Sequence, residues 1–107
     1  MRRKTVLYHV TEPKNIESIM RFGLRREGWC VYLSTKPLSW YRDGLRILRV
    51  DISGLTQVKA NTFLPDSDEV LWWGEVPSVK KTKDGEWVSR ITDVTEKYID
   101  RKGKADE

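Results

Sequence analysis

The sequence predicts an α+β domain, and three observations lead there. Short runs rich in Val, Ile, Leu and aromatic residues recur along the chain, each bounded by turn-forming residues. Ile16, Ile19 and Met20 carry apolar side chains at the i, i+3, i+4 spacing of a helix. At 107 residues about two-thirds of the open chain's surface is buried on folding, enough for one modest core.

Residues 5–11 form the first predicted strand, with Val6, Tyr8 and Val10 on one face and Leu7, His9 and Thr11 on the other. Pro13 suits an early helical position, capped by Thr11 or Glu12, and the apolar stripe follows. Gly23 terminates that helix and Leu24 supplies the closing contact. A second strand is predicted over 29–34 and a short helix over 37–42. The clearest strand runs from Leu45 to Ile52 and ends at Ser53-Gly54. A weaker strand covers 57–60, a polar loop 65–68, and β character resumes at Glu69. Residues 76–81 and 87–91 read as hairpin arms around Asp84-Gly85. One domain therefore spans residues 1–95, and residues 96–107 form a charged tail expected to fray.

Composition narrows the function. With 38% apolar and 34% charged residues and five Trp, the chain has the bulk for a core. No apolar run approaches membrane-spanning length. Met1 to Lys4 is basic, but His9 and Glu12 come too soon for a secretory leader. Cys30 and His9, each the sole residue of its type, cannot build a structural zinc site, and a reducing, cytoplasmic compartment is expected. Neither dinucleotide nor P-loop glycine motifs occur. Residues 1–50 hold 11 Lys/Arg against 4 Asp/Glu, a net of +7; the rest holds 9 against 12, a net of −3. A basic half of this kind attracts phosphates, in DNA, RNA or a dinucleotide, or simply faces solvent.

Taken singly, the polar and aromatic residues are ambiguous. His9 can bond a ribose hydroxyl or exchange a proton, or it can be structural. Ser34 and Thr35 offer hydroxyls at a strand end, where turns also use them. Tyr32, Trp40 and Tyr41 can stack on a flat ring or pack in a core. Asp66, Asp68 and Glu69 lack the spacing of a defined cation loop.

Their order is more informative. Tyr8-His9-Val10-Thr11 is followed by a helix stripe ending in Gly23-Leu24, then by Val31 to Thr35, by the strand 47–52, and by Asp68-Glu69-Val70-Leu71 with Glu75-Val76-Pro77 behind it. Over about residues 5–80 this resembles the ADP-ribosyltransferase-like superfamily, most nearly its small prokaryotic or phage members and the bacterial toxins that modify DNA. That pattern has a strand histidine, an apolar helix closed by Gly-Leu, a second strand ending in hydroxyls, and a late glutamate heading a strand.

The resemblance implies a small split β-sheet core with one main helix after the first strand. It implies a transferase that moves ADP-ribose from NAD to a nucleic-acid or protein acceptor and releases nicotinamide, without a metal. Under it, His9 holds a ribose of NAD, with Thr11 beside it. Ser34 and Thr35 lie by the nicotinamide ribose, and Tyr41, or else Trp40, stacks on nicotinamide. Arg25 or Arg26 reaches the pyrophosphate. Glu69 is the catalytic carboxylate, with Glu75 the competing position.

Two other readings accompany it. One is the RNA 2′-phosphotransferase branch of the same superfamily, although Tyr8 stands where an arginine is expected beside the histidine. The other is a non-catalytic module that grips nucleic acid or protein through Arg2, Arg3, Lys4, Arg25 and Arg26.

Overall fold

Among the described residues, a central antiparallel sheet of six strands and two short helices frame a mixed α/β protein built mostly of strands. The computed structural model describes residues 5–25, 31–55, 62–63, 69–72 and 74–99. Strand β1 (Val6–Thr11) lies near the middle of the sheet. It pairs with β3 (Arg46–Asp51) over six residues, from Val6 opposite Asp51 to Thr11 opposite Arg46. Around this pair the order is β4 (Thr62–Phe63), β5 (Glu69–Trp72), β2 (Val31–Ser34), β1, β3 and β8 (Ile91–Asp93).

The period of two along each strand decides the core. Leu7, Leu33, Leu48, Val50, Val70 and Trp72 are buried in one cluster with Val31 and Ile91. Helix α1 (Ile16–Phe22), entered through a 3-10 turn at Pro13–Asn15, lays Ile16, Ile19 and Met20 against that cluster. Fully burying one such side chain contributes about 1.5–3 kcal/mol. The predicted strand over residues 5–11, the helix stripe and the strand over 45–52 therefore fall where periodicity puts them. The helix has no side-chain cap at either Thr11 or Glu12. Instead the Thr11 hydroxyl accepts a hydrogen bond from the Asn15 side-chain Nδ2 at 3.1 Å.

Gly23 ends α1 with φ 84° and ψ −172°, a conformation that strongly favours glycine. Space makes the same demand. A Cβ there would meet the Val76 carbonyl oxygen at 2.1 Å. The chain comes this close because Leu24 and Val76 exchange two main-chain hydrogen bonds, of 2.8 and 2.9 Å, which tie the end of α1 to the segment after β5.

A separate two-stranded sheet, β6 (Val79–Lys81) with β7 (Trp87–Ser89), forms the expected hairpin around Asp84-Gly85. Its arms are shorter than the sequence suggests, because Ile91 leaves it to open β8 in the main sheet opposite Val50. A hairpin alone is marginal. This one is anchored by the buried Arg90, whose Nη1 donates to the carbonyls of Asp51 and Ser53 at 3.0 and 2.8 Å. Lys80 donates to the Asp51 carboxylate and the Ser53 hydroxyl.

One expectation is corrected. Residues 37–40 form turns rather than the short helix expected over 37–42, with the Tyr41 amide donating to Leu38. So short a run behind a proline and ahead of Gly44, at φ 89°, has too few internal bonds to offset helix nucleation. Of the tail expected over residues 96–107, residues 96–99 are described. Helix α2 (Thr95–Tyr98) is followed by buried Ile99. Its start is fixed by the Asp93 carboxylate, which accepts from the Thr95 amide and hydroxyl. Arg46 bridges Asp93 and Glu96 from β3. The expected strand over 57–60, the loop over 65–68, Trp29, Cys30, Arg26 and residues 100–107 lie outside the described residues.

Candidate functional site

Strand β1 meets its two neighbours unequally. With β3 it shares six registered pairs, but with β2 only one, Tyr8 opposite Ser34. Strand β2 in turn shares four pairs with β5, from Val31 opposite Trp72 to Ser34 opposite Glu69. The sheet thus holds together on either side and opens in the middle, from Tyr8 towards Thr11. His9 reaches across that opening, its Nδ1 lying 3.0 Å from the Tyr32 carbonyl oxygen on β2. Because a carbonyl can only accept, Nδ1 carries the hydrogen, and in the neutral ring the lone pair sits on Nε2.

A cavity of about 680 Å³ lies at this opening. That is within the usual range for small-molecule sites. Its lining brings together His9 and Thr11 from β1, Arg25 from the segment after α1, and Glu69 from the head of β5. Tyr8, Asn15, Ser18 and Ile19 contribute to its walls, as do Tyr32, Trp40 and Arg42, and Glu12 places a second carboxylate in the lining. Tyr32 and Trp40 are exposed, by 45% and 51%, so each presents an aromatic face to solvent at the cavity rather than to the core.

Other residues singled out from the sequence lie elsewhere. Ser34 is adjacent to Glu69 across the sheet but only 1% exposed, and its hydroxyl is engaged with Lys36. It donates to the Lys36 carbonyl at 2.9 Å and accepts from the Lys36 amide at 3.1 Å. This is the strand-end turn that serine favours. Thr35 and Tyr41 do not line the cavity, and neither does the exposed Glu75. Of the two glutamates weighed from the sequence, Glu69 is the one at the cavity. Of the two rings weighed beside nicotinamide, it is Trp40.

Arg42, Tyr8, Asn15 and Ser18 were missed as lining residues. Arg42 had a signal in the sequence, a cation next to Trp40-Tyr41. Asn15 had only its spacing of four from Ile19, and Ser18 its spacing of three from Asn15. Tyr8 packs edge-on against Tyr98, with ring centres 6.3 Å apart. Hydrogen bonding with Tyr98, then burial, pushes its phenol above the ordinary value of 10.0. The phenol therefore stays protonated and neutral at physiological pH.

The polar set consists of one imidazole, two carboxylates (Glu12 and Glu69), two guanidinium groups, one side-chain amide and several hydroxyls. Such a set can hydrogen-bond hydroxyls, stack on a flat ring and pair with charged groups. Among the described residues no three His, Cys, Asp or Glu side chains are grouped to hold a metal ion. Among them, too, no helix is long and apolar enough to cross a membrane. Comparison of the sequence with protein-family models gives no match, and comparison with curated proteins gives none.

Proposed function

We propose that this cavity binds NAD and that the protein transfers ADP-ribose to an acceptor, with nicotinamide as the leaving group. The observation that carries the reading is the meeting of His9, Thr11, Arg25 and Glu69, from three separate parts of the fold, in one cavity where the sheet divides. A split sheet is also the architecture that the resemblance to the ADP-ribosyltransferase-like superfamily implies.

In this reading each residue has a distinct task. His9 is oriented by the Tyr32 carbonyl and turns Nε2 to a ribose hydroxyl. Arg25 meets the pyrophosphate with a planar fork of donors. Trp40 or Tyr32 offers a ring for nicotinamide to stack on. Glu69 supplies negative charge where the bond between ribose C1′ and the nicotinamide nitrogen breaks. The electron pair of that bond leaves with nicotinamide, positive charge develops on the ribose, and a carboxylate in place beforehand stabilises it. The acceptor's nucleophilic atom then bonds to C1′ and gives up its proton, for which a carboxylate is a competent base. Ser34 and Thr35 act indirectly, by shaping the end of β2 beside Glu69.

The net charge of +7 in residues 1–50 favours an anionic acceptor, and nucleic acid is the acceptor we propose. Calorimetric titration of the protein with NAD tests the binding step. The expected result is saturable heat that a His9→Ala substitution reduces. Absence of both heat and a thermal shift at millimolar NAD overturns the reading.

A further inference from the structure

Alternate residues of the main sheet point away from the core cluster, and the strand register sets them in rows. One row runs Glu69, Ser34, Tyr8, Arg49 and Thr92, from β5 across β2, β1 and β3 to β8. Tyr32 shares that face, two residues before Ser34 on β2. Helix α2 stands at one corner, where Tyr98 meets Tyr8 edge-on. Elsewhere the face is open: Tyr32, Arg49 and Thr92 are all exposed. It is also continuous with the cavity, because Glu69, Tyr8 and Tyr32 line that cavity.

Two cations flank the tyrosine pair. Arg49 is directly opposite Tyr8, and its charge works against the rise that Tyr98 and burial impose on the Tyr8 phenol. The Lys97 ammonium lies 5.9 Å from the centre of the Tyr98 ring. Among the described residues neither cation is in an ion pair. The nearby carboxylates have other partners. Asp51, two positions after Arg49 on the same face, is held by Lys80 and Ser53, and Glu96, beside Lys97, is held by Arg46. Glu69 is three strand spacings from Arg49, about 14 Å. The face therefore alternates tyrosine rings with positive charge and keeps its nearest carboxylates engaged.

We propose that this outer face of the sheet binds single-stranded nucleic acid, with Tyr32 stacking on a base and Arg49 and Lys97 each taking a phosphate. A single strand fits because its bases are open to an aromatic ring, whereas those of a duplex already stack on one another. Guanidinium adds a planar fork that matches two phosphate oxygens. A strand laid from Arg49 towards Tyr32 ends at the cavity mouth beside Glu69, with Trp40 left as the ring for nicotinamide. That the strand is the acceptor of ADP-ribose rests on the function proposed above; that the face binds single strands does not.

The test is fluorescence anisotropy of the full chain, without NAD, on a labelled oligothymidine of about twelve nucleotides and on duplex DNA of the same length. The salt concentration is varied. Wild type is expected to bind the single strand more tightly than the duplex, with an affinity that falls as salt rises. Arg49→Gln and Lys97→Gln should each weaken the single strand by about three- to tenfold and lower the salt slope by about 0.7. Tyr32→Leu should weaken it by about fivefold or more, and Tyr32→Phe, which keeps the ring, should restore it. Lys83→Gln, an equally exposed charge at the tip of the β6–β7 hairpin, should change neither affinity nor slope. No binding, a preference for duplex, or equal losses in Lys83→Gln and Arg49→Gln overturns the proposal. So does wild-type binding by Arg49→Gln and Tyr32→Leu. If Tyr32→Leu fails to fold, the exposed Arg49 and Lys97 variants decide. Strand binding that depends on Arg49, in a protein that neither binds NAD nor releases nicotinamide from it, supports the surface and contradicts the transferase. Nicotinamide release by a protein that binds no single strand does the reverse.

Discussion

His9 donates from Nδ1 to the main-chain oxygen of Tyr32, 3.0 Å away, across the place where β1 and β2 part. One side chain thereby does two jobs. It links β1 to β2 where the two strands share one registered pair, and it sets the tautomer of the neutral ring, with the hydrogen on Nδ1. His9→Ala is expected to weaken NAD binding by about 1–3 kcal/mol, the usual cost of a lost buried partner. Calorimetry gives the affinity and a thermal melt shows that the variant is folded. Wild-type affinity in a folded His9→Ala protein counts against a ligand at this imidazole.

Gly23 is the position most intolerant of a side chain. Its φ of 84° is strained for any other residue, and a Cβ would stand 2.1 Å from the Val76 carbonyl oxygen. Gly85 has a similar φ of 86°, but the nearest obstacle to a Cβ there is the flexible end of Lys81 at 3.7 Å. Gly85→Ala should therefore cost about 1 kcal/mol, from backbone strain alone, and Gly23→Ala about 3 kcal/mol or more. Urea denaturation of the two variants gives the comparison. Equal losses would mean that the close approach of α1 to Val76 is not a real constraint.

These two residues also show what can be read from the chain. Gly23 after an apolar stripe is a local signal, as is the alternation of Leu7, His9 and Thr11, and local signals translate directly into elements. Helix α2 was illegible for the opposite reason. Thr95 to Lys97 looks like charged tail, and its order comes from Arg46 and Ile47, nearly fifty residues earlier. The site divides in the same way. His9 and Glu69 stood out by residue type and order, whereas the part played by Ser34 depended on a turn formed with Lys36. Arg42 had a local signal in the adjoining Trp40-Tyr41, but its place at the cavity is set by the fold.

Thr95 is the hinge of that distant contact. Its buried hydroxyl accepts from the Ile47 amide at 2.8 Å and donates to Asp93 at 2.6 Å. Thr95→Val keeps the shape but leaves a buried amide unpaired, and should cost about 1–3 kcal/mol. Thr92→Val, at an exposed position on β8, should change stability by no more than about 0.5 kcal/mol. Thermal melts of both variants check the contrast.

Stability should fall in acid for a nameable reason. Burial opposes ionisation of Asp51, but hydrogen bonds from Lys80 and Ser53 outweigh it and hold the carboxyl below its ordinary 3.8. At Asp93 the same contest is decided by Thr95 and Arg46. A carboxyl whose pKa is lowered on folding contributes stability above its unfolded value and loses it as pH falls through the folded value. The loss is thus expected below about pH 4. Asp51→Asn and Asp93→Asn should be less stable than wild type at neutral pH and show a shallower decline in acid. Melting temperature against pH gives both, and an unchanged acid slope would exclude these two groups as its source.

The account stands or falls on Glu69. Chromatography of nicotinamide released from NAD, for wild type, Glu69→Gln and Glu75→Gln with DNA, RNA and protein acceptors, tests it most directly. Gln keeps the shape of Glu and removes its charge, and loss of one preorganised electrostatic partner typically costs about 10²–10³ in rate. The predicted result is nicotinamide release by wild type, release of the same order by Glu75→Gln, and a drop of about 10²–10³ in Glu69→Gln while it still folds and binds NAD. No release from folded wild type with any acceptor, or a Glu69→Gln protein as active as wild type, contradicts the account.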